Sequence, residues 1–354
     1  MPYGIQVPSV PGIADPARLD AWISANVADE ELGGARLTGV SLISGGRSNL
    51  TYRLDFGDIA LVLRRPPLGH VLPTAHDMSR EYRVLSALAG TDIPVPVPVA
   101  FCEDTQIVAA PFYLMRYVSG RVLRTREQAA DVTPDQARKL SEQLVGMLAA
   151  IHGVDIDAAG LTGFGRPEGY MTRQLARWQR QWELSNSREV AGYDDLVRRL
   201  TQGLPASAGG TLVHGDLRLD NMLVNTEPSP AVAAVVDWEM STLGDPLADL
   251  GLTLMYWTDP GDEDWLRVSE GGSVTTIAGF MRRAEAAARY AEITGRDISD
   301  IGYYMAFGCF KLAVVLEGIH ARFLLNQTVG EGFEREGPAV PRLIERAHAL
   351  LDAV

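Results

Sequence analysis

Several kinds of residue that build common sites are scarce in this sequence. Its two cysteines, Cys102 and Cys309, exclude a disulfide framework and a cysteine-rich zinc site, and their apolar surroundings predict that both are core residues. Basic residues number 32 against 45 acidic ones, which argues against nonspecific nucleic-acid binding, since that needs clustered lysine and arginine. The net charge of −13 is compatible with a cationic substrate and also with an ordinary acidic surface.

Long apolar runs and targeting signals are scarce as well. No uncharged apolar run reaches the ~18 residues that a membrane span needs, so no membrane partner is expected. The opening residues MPYGIQVPSVPG lack the basic segment and the apolar core of a signal peptide. A cytoplasmic protein is the resulting expectation.

The 354 residues exceed one ordinary domain and change character along the chain, which predicts an α+β protein with two lobes. Residues 1–34 are expected to form an arm and a helix. Residues 35–118 are expected to form an N-lobe, an antiparallel nucleotide-binding β-sheet with one helix, and residues 119–354 a mainly helical C-lobe. The predicted strands are Leu37–Leu42, Asn49–Phe56, Ile59–Leu63, Ile107–Ala109 and Phe112–Tyr117. The predicted helices include Met78–Leu88, Pro134–His152, Tyr170–Leu184, Tyr193–Leu200, Val274–Thr294, Ser299–Leu325 and Val340–Leu351.

The stretch LVHGDLRLDNMLV, with DWE after a second apolar run, places polar side chains in the order His-x-Asp-x-x-x-x-Asn followed by Asp. That order is typical of a phosphoryl-transfer site, which needs an oriented hydroxyl and neutralised phosphate charge. Asp216 would orient the acceptor hydroxyl and accept its proton, and side-chain oxygens of Asn221 and Asp237 would bind Mg²⁺. His214 is predicted to fix the loop by hydrogen bonds. Arg218 would either contact the γ-phosphate or remain a solvated loop arginine.

A glycine-rich hairpin between the first two predicted strands is a candidate phosphate-binding loop. Gly45 and Gly46 would let backbone N–H groups approach phosphates closely. Ser44, Ser48 and Asn49 would add hydroxyl and amide donors. The alternative is an ordinary glycine turn.

Further candidates for nucleotide binding lie along the N-lobe. Arg64 ends the third predicted strand, where kinases keep a lysine on the α- and β-phosphates, and Glu81 of the next helix would hold it. Arg65 is the competing basic residue and would point to the opposite face of the sheet. Met115 and Tyr117 lie at the expected hinge between the lobes, where backbone and apolar groups would meet an adenine, although a plain strand end is the alternative.

Three further acidic residues stand near the signature in the sequence. Asp245 precedes a proline and is predicted to cap a helix, with Asp249 one turn further on. Both are interpreted chiefly as supports for the loop. Glu239 is a further candidate for the metal shell.

The motifs HGDLRLDNMLV, VVDWE and GDPLADLG resemble the aminoglycoside phosphotransferase-like kinases, the family that includes choline kinase. RRPP and SNLTYRL look most similar to the branch related to the kinase-like domain of some acyl-CoA dehydrogenases. The resemblance covers about residues 35–325. It implies a bilobal protein-kinase-like fold, ATP or GTP with Mg²⁺, Asp216 as catalytic base, and Asn221 and Asp237 as metal ligands. Many relatives carry lysine where Arg64 stands, although arginine is usual for this branch.

The acceptor would be a small molecule with a hydroxyl group, bound by the helices of the C-lobe. Family members act on aminoglycosides, choline, homoserine, fructosamines and hydroxyacyl groups. No acidic cluster suited to an aminoglycoside stands in these helices, so a metabolite is favoured. Candidate pocket residues, which an amphipathic pattern of core and surface positions would also explain, are Arg173, Arg177, Trp178, Arg180, Trp182, Tyr303, Tyr304, Lys311, Glu317 and His320.

Two other functions fit parts of the pattern. A nucleotide-binding pseudokinase is compatible with Arg64 in place of the usual lysine. It would not need the complete set of Asp216, Asn221 and Asp237, which argues against it. A metal-dependent hydrolase would use His214 with the two aspartates, yet it gives the glycine hairpin no task and would need more ligands among the six histidines. The oligomeric state stays open.

Overall fold

The computed structural model describes residues 7–43, 49–68, 77–262, 274–325 and 336–353. Its contacts divide the chain into two compact units. Unit 1 comprises Met1–Ser119 and Ala233–Glu239, and unit 2 comprises Gly120–Val232 and Met240–Val354. Unit 1 carries a sheet and unit 2 is mainly helical, so the predicted α+β class is confirmed.

Unit 1 is built on a five-stranded antiparallel sheet with the order β1-β2-β3-β5-β4. Alternate side chains of the second strand, Tyr52, Leu54 and Phe56, are buried, as expected where one face of a sheet meets a core. Leu19 and Ile23 of the first helix belong to the same core. The strands are β1 (Gly39–Leu42), β2 (Leu50–Phe56), β3 (Ile59–Arg65), β4 (Pro98–Cys102) and β5 (Phe112–Arg116). The helices are α1 (Pro16–Asn26), α2 (Asp29–Leu32), α3 (Met78–Leu88) and α4 (Thr105–Val108).

Helix α3 has the bounds that the sequence predicts, and its local chemistry explains them. Asp77 caps its first turn by accepting hydrogen bonds from the N–H groups of Ser79 and Arg80. Buried residues recur along α3 at helical spacing, and Glu81 is among them. The amphipathic pattern of the helix therefore buries a carboxylate.

Two details of unit 1 differ from the sequence prediction. The predicted strand at Ile107–Ala109 is wrong because Asp104 accepts a hydrogen bond from the Gln106 N–H and starts the short helix α4 instead. Strand β3 continues to Arg65, so Arg64 lies inside the strand. Arg65 does point to the opposite face, where its guanidinium donates to the carbonyl oxygens of Gly12 and Val108.

The segment DIPVPVPVAF behaves as predicted and supplies an edge strand. Its last residues form β4, which lies at the end of the strand order. Proline lacks the N–H group that an inner strand would need, so an edge position suits it.

Unit 2 consists of seven helices and short strands among its described residues. The helices are α5 (Pro134–His152), α6 (Tyr170–Ser185), α7 (Tyr193–Gln202), α8 (Pro246–Tyr256), α9 (Arg283–Thr294), α10 (Ile301–Leu324) and α11 (Glu336–Asp352). The strands are β6 (Thr211–Val213), β7 (Met222–Asn225), β8 (Ala231–Val235), which continues into unit 1, and β9 (Thr242–Gly244). Strands β6 and β9 pair antiparallel.

Helix boundaries in unit 2 follow their caps. Thr133 and Gln136 form a reciprocal capping box that starts α5 at the predicted residue. The helix predicted over Val274–Thr294 begins only at Arg283, because Gly279 adopts a φ of +100° that no helix allows. Its neighbours form turns instead.

Helix α10 is the core helix of unit 2. Within the described part of the chain it is the one helix long and apolar enough to cross a membrane, but 72% of its most apolar window is buried inside the protein. Tyr304 of α10 lies so close to Gly251 of α8 that a Cβ there would stand 2.6 Å from the Tyr304 carbonyl carbon. Close packing of α8 and α10 therefore covers this apolar surface.

Candidate functional site

The signature motif forms a loop between β6 and β7 in unit 2. Strand β6 is buried, as are Met222 and Val224 of β7, and a 3₁₀ turn at Leu219–Asn221 leads into β7. Gly215 adopts a φ of +85°, and a Cβ at this position would lie 2.7 Å from the carbonyl oxygen of Met240. The loop path therefore requires glycine immediately before Asp216.

Asp249, in the first turn of α8, holds the start of this loop. Its carboxylate accepts hydrogen bonds from the backbone N–H of His214 at 2.7 Å and from that of Gly215 at 2.9 Å. His152 Nε2 lies 3.2 Å from the same carboxylate. Burial alone would raise the pKa of Asp249, but the hydrogen bonds and charge of His152 and His214 outweigh burial and lower it. The predicted supporting role of Asp249 is confirmed.

Behind Asp249 lies a buried pair of side chains that the sequence did not single out. His152 ends α5, and its Nδ1 is 2.6 Å from the hydroxyl of Tyr290 on α9. Both residues are buried. No local pattern reveals this contact, because it depends on the packing of α5 against α9 across a long stretch of chain.

Asp216 and Asn221 are held together on the loop. The Asn221 side-chain amide donates to the Asp216 carbonyl oxygen at 2.8 Å and to its Oδ2 at 3.0 Å. These bonds use the amide nitrogen and leave the side-chain oxygen of Asn221 as an acceptor for another group. The Asp216 side chain is 28% exposed and can be reached by a ligand. His214 is fully buried, and its Nδ1 accepts from the Asp216 N–H at 3.3 Å, as its predicted fixing role requires.

Arg218 is bound within the loop and is not a freely solvated side chain. Its Nε lies 3.5 Å from Asp216 Oδ2, and its Nη1 lies 3.2 Å from Asp220 Oδ2. The ring of Tyr256 stacks 4.8 Å from its guanidinium carbon. A positive charge is thereby fixed beside the Asp216 carboxylate.

In unit 1, Arg64 is the centre of a cluster of carboxylates. Its Nε lies 3.0 Å from Glu81 Oε2, and its Nη2 lies 2.5 Å from Asp237 Oδ1 and 3.8 Å from Glu239 Oε2. Asn49 donates to Glu239 at 2.9 Å. The pairing of Arg64 with Glu81, which the sequence predicts, is present in the structure.

Burial and charge act against each other on the two central residues of this cluster. Burial favours the neutral form of Arg64, but the neighbouring carboxylates, led by Glu81, outweigh burial and raise its pKa. Burial also raises the pKa of Glu81, and the charge of Arg64 opposes that rise. The charge of each of these two residues therefore depends on the charge of the other.

Asp237 follows β8 with an unusual backbone. Its φ of +67° lies in the left-handed region, which few residues other than glycine occupy. Trp238 is fully buried, and its indole N–H donates to the Val235 carbonyl at 3.0 Å. Trp238 is thereby anchored directly after Asp237, whose carboxylate contacts Arg64. Non-glycine outliers of this kind occur preferentially at functional sites.

The remaining nucleotide-binding candidates are the hairpin residues and the two residues of the expected hinge. Ser44, Gly45, Gly46 and Ser48 lie outside the described residues. Met115 is buried in β5 opposite Val62 of β3 and Pro98 of β4. Tyr117 is exposed, and the guanidinium of Arg53 lies 4.4 Å over its ring. Their contact with a nucleotide stays a prediction.

Half of the ten candidate pocket residues are buried in unit 2, namely Trp178, Trp182, Tyr303, Tyr304 and Glu317, whereas Arg177 and Arg180 are exposed. Trp182 stacks on Tyr193 at 4.0 Å, and the buried Glu317 accepts hydrogen bonds from Ser187 and Arg188. The hydroxyls of Tyr303 and Tyr304 donate to the Leu200 carbonyl and to Asp245. Lys311 differs, because it lines a small pocket next to Gly215.

The residues proposed to bind magnesium have the right donor chemistry. Asp237 and Asn221 offer oxygen atoms, which Mg²⁺ prefers, and Mg²⁺ commonly takes only one or two protein carboxylates and completes its shell with phosphate oxygens and water. Among the described residues there is no cluster of three or more histidine, cysteine, aspartate or glutamate side chains suited to a metal. Each of these oxygen donors by itself suits a hard cation, and the binding of Mg²⁺ by Asn221 and Asp237 stays a prediction.

Comparisons with known proteins bear on the fold of the whole chain. The chain is 33% identical to a protein of Ralstonia eutropha JMP134 with a provisional assignment as an aminoglycoside phosphotransferase; the match covers 96% of this chain and 98% of that one, with a TM-score of 0.81. A spectinomycin phosphotransferase, solved with ADP and spectinomycin, matches 94% of this chain and 97% of its own with a TM-score of 0.57, and at 16% identity it shows the shared fold alone. The predicted kinase-like fold is confirmed.

The sequence relatives indicate the branch. Acyl-CoA dehydrogenase family member 10 of Mus musculus is 34% identical over 303 residues, which are 85% of this chain and 28% of the relative. The chain spans less than half the length of this relative and of the chicken family member 11. The model of the phosphotransferase enzyme family matches residues 39–280. The chain therefore belongs to the phosphotransferase enzyme family.

Proposed function

We propose that this protein is a magnesium-dependent kinase that transfers the γ-phosphate of ATP or GTP to a hydroxyl group of a small metabolite. The observation that carries the proposal is the fixed, partly exposed carboxylate of Asp216, which Asn221 and the Asp249-bound loop hold in place. Phosphoryl transfer depends mainly on the positioning of the reactants and on the stabilisation of charge. A fixed carboxylate would position the acceptor hydroxyl.

Each residue has a separate proposed task. Asp216 orients the acceptor hydroxyl and takes its proton, and Arg218 beside it offers positive charge to the transferred phosphoryl group. Asn221 and Asp237 would hold the magnesium ion, which would supply positive charge to offset the charge of the nucleotide phosphates. Arg64 binds phosphate oxygens and is kept in position by Glu81.

Nucleotide binding is supported by what related folds bind. The spectinomycin phosphotransferase was solved with ADP, and an aminoglycoside 2'-phosphotransferase-IIIa with GDP. The proposed nucleotide contacts of this chain are Arg64 and Asn49, the glycine hairpin, and Met115 and Tyr117 for the base. Because Arg64 contacts the Asp237 carboxylate here, phosphate oxygens would have to replace Asp237 as the partner of its Nη2.

Calorimetry and product formation test the proposal together. Wild-type protein should bind MgATP or MgGTP, and ADP or GDP release should depend on a hydroxyl acceptor from a broad panel. Asp216→Ala should lower turnover by ~10²- to 10⁴-fold while nucleotide affinity changes little. Asp58→Ala, in the exposed turn between β2 and β3, is the matched control and should change neither.

Two results would count against the proposal in different ways. If neither nucleotide binds with magnesium, the kinase assignment is wrong. If a nucleotide binds but no acceptor in the panel is phosphorylated, the nucleotide-binding pseudokinase becomes the better description.

A further inference from the structure

Helix α8 contacts the catalytic loop at three points along one of its faces. Asp249, in the first turn, holds the two backbone N–H groups that precede Asp216. Thr253 and Tyr256 follow at the fourth and seventh positions after Asp249, a spacing that brings side chains to the same face of a helix. Both of these later residues contact the part of the loop that follows Asp216.

The hydroxyl of Thr253 donates a hydrogen bond out of its own helix. Hydroxyls of helical threonines commonly donate to the carbonyl four residues earlier in the same helix, and Thr201 and Thr294 do so in this protein. Thr253 instead donates to the carbonyl oxygen of Leu217 at 2.9 Å, and both residues are buried. Without the hydroxyl this buried carbonyl would lose its hydrogen bond, which carries a desolvation cost. The bond therefore fixes the backbone directly after Asp216.

The ring of Tyr256 supports the side chain of Arg218. The guanidinium carbon of Arg218 lies 4.8 Å from the centre of that ring. Its Nε lies 3.5 Å from Asp216 Oδ2, and its Nη1 lies 3.2 Å from Asp220 Oδ2. Ion pairs between partly exposed side chains hold their geometry weakly, whereas an aromatic face fixes the plane of a stacked guanidinium. Tyr256 therefore sets the direction from which Arg218 approaches Asp216.

These contacts attach the loop to one rigid element on both sides of Asp216. Asp249 binds the residue before it, Thr253 binds the residue after it, and Tyr256 supports the second residue after it. From Asp249 to Tyr256 the helix rises about 10 Å, at about 1.5 Å per residue. A loop attached at one end alone could turn about that end, and a displacement of about 1 Å at a catalytic group can lower the rate by about 10²-fold.

We propose that Thr253 and Tyr256 are positioning residues of the phosphotransfer reaction, which act through Asp216 and Arg218 and not through contact with a substrate. The inference rests on the proposed kinase function and adds two residues through which α8 controls it. Thr253 fixes the backbone, and Tyr256 fixes the neighbouring charge. Loss of either contact should therefore slow the transfer and leave nucleotide binding intact.

Hydrogen exchange measures the attachment of the loop without any acceptor. The amides of His214, Gly215 and Asn221 are hydrogen-bonded and report on the loop. Thr253→Val keeps the shape of the side chain and removes its hydroxyl, so these amides should exchange faster by about tenfold or more. Thr253→Ser, which restores the hydroxyl, should return the exchange rates toward those of wild type.

Thr201→Val is the matched control for this measurement. It makes the same chemical change on α7, where the hydroxyl donates within its own helix at 2.8 Å. Exchange in the catalytic loop should stay unchanged in this variant.

Turnover tests whether the attachment serves catalysis. The acceptor is the panel compound that wild type phosphorylates fastest, and ADP release is followed. Thr253→Val and Tyr256→Leu should lower kcat by about 10- to 100-fold with little change in the KM for MgATP. Tyr256→Phe keeps the ring and should remain close to wild type.

A double-mutant cycle shows whether Thr253 acts through Asp216. In an Asp216→Ala background the carboxylate is gone, so Thr253→Val should lower the residual rate by much less than it lowers the wild-type rate. An equal loss in both backgrounds would mean that Thr253 supports the protein in general, and the inference would fail.

Other results would also overturn the inference. Loop exchange that is unchanged in Thr253→Val, or raised equally throughout unit 2, would show that the hydroxyl does not anchor the loop. Faster loop exchange with an unchanged kcat would show that the anchor does not serve catalysis. The proposed kinase function fails on different evidence, namely that wild type phosphorylates no acceptor or that Asp216→Ala keeps full turnover.

Discussion

The guanidinium of Arg64 bridges Glu81 and Asp237, with its Nε 3.0 Å from one carboxylate and its Nη2 2.5 Å from the other. Glu81 is almost completely buried, and Arg64 is the cation that its carboxylate faces. Asp237 is a proposed magnesium ligand. One arginine therefore links the stability of unit 1 to the proposed chemistry.

Replacing Arg64 by alanine should destabilise the protein because it leaves the buried Glu81 carboxylate without its cation. Removing one partner of a buried pair typically costs about 3–5 kcal/mol. Arg53→Ala is the matched control, since Arg53 pairs with Asp55 at 2.7 Å on the exposed surface of the same sheet. Denaturant unfolding of both variants gives the comparison, and equal losses for the two would show that the Arg64 pair is not needed for stability.

Arg64→Lys separates charge from geometry at the same position. Lysine keeps the positive charge but offers a single nitrogen, which cannot reach Glu81 and Asp237 with the separate nitrogens that Arg64 uses. The variant should unfold closer to wild type than Arg64→Ala does, while its affinity for MgATP falls. Calorimetric titration measures the affinity. Unchanged affinity in Arg64→Lys would mean that the second nitrogen has no part in nucleotide binding.

The features that the sequence predicts correctly are those that depend on residues close together in the chain. The spacing of Asp216 and Asn221, and the position of Glu81 on α3, follow from short motifs and helical periodicity. The sequence predicts a strand where α4 stands, although Asp104, a helix cap, directly precedes it. Its short apolar stretch fits a strand as well as a helix, and only the cap distinguishes them.

Features that depend on tertiary packing cannot be predicted from short motifs or periodicity. The hydrogen bond between His152 and Tyr290 joins two helices far apart in the chain, and neither residue stands in a motif. The left-handed backbone of Asp237 stands beside the anchored Trp238, and the residue type alone does not predict it. The pocket position of Lys311 likewise arises from the packing of α10 beside the loop.

Tyr290→Phe should lower turnover through the catalytic loop. The substitution removes only the hydroxyl that contacts His152, which in turn orients Asp249. Loss of the buried hydrogen bond should cost about 1–3 kcal/mol of stability. Tyr303→Phe is the matched control, because its buried hydroxyl donates to the Leu200 carbonyl at 2.8 Å, away from Asp249. Turnover should fall in Tyr290→Phe alone, and equal turnover in the two variants would remove His152 from the supporting chain.

Asp249→Asn should show a pH-dependent loss of stability. The folded pKa of Asp249 is lowered from 3.8, so its ionised form adds stability that is present above 3.8 and is lost as pH falls through the lower folded value. The difference in melting temperature between wild type and Asp249→Asn should therefore be largest near neutral pH and shrink in acid. Thermal unfolding from pH 7 to pH 3 measures it. A difference that grows in acid would contradict the direction of the shift.

Gly215→Ala should disrupt the loop by a steric clash as well as by the strain of its positive φ. Gly215 and Gly163 both have positive φ, +85° and +73°, but a Cβ at Gly215 would lie 2.7 Å from the Met240 carbonyl oxygen, whereas Gly163 has nothing within 4 Å. The left-handed conformation costs each alanine about 1–2 kcal/mol. Only Gly215→Ala must also move the backbone before Asp216. Phosphotransfer, followed by ADP release, should be lost in Gly215→Ala and kept in Gly163→Ala. Comparable activity in the two variants would show that the loop tolerates the displacement and that the position of Asp216 is less constrained than its hydrogen bonds imply.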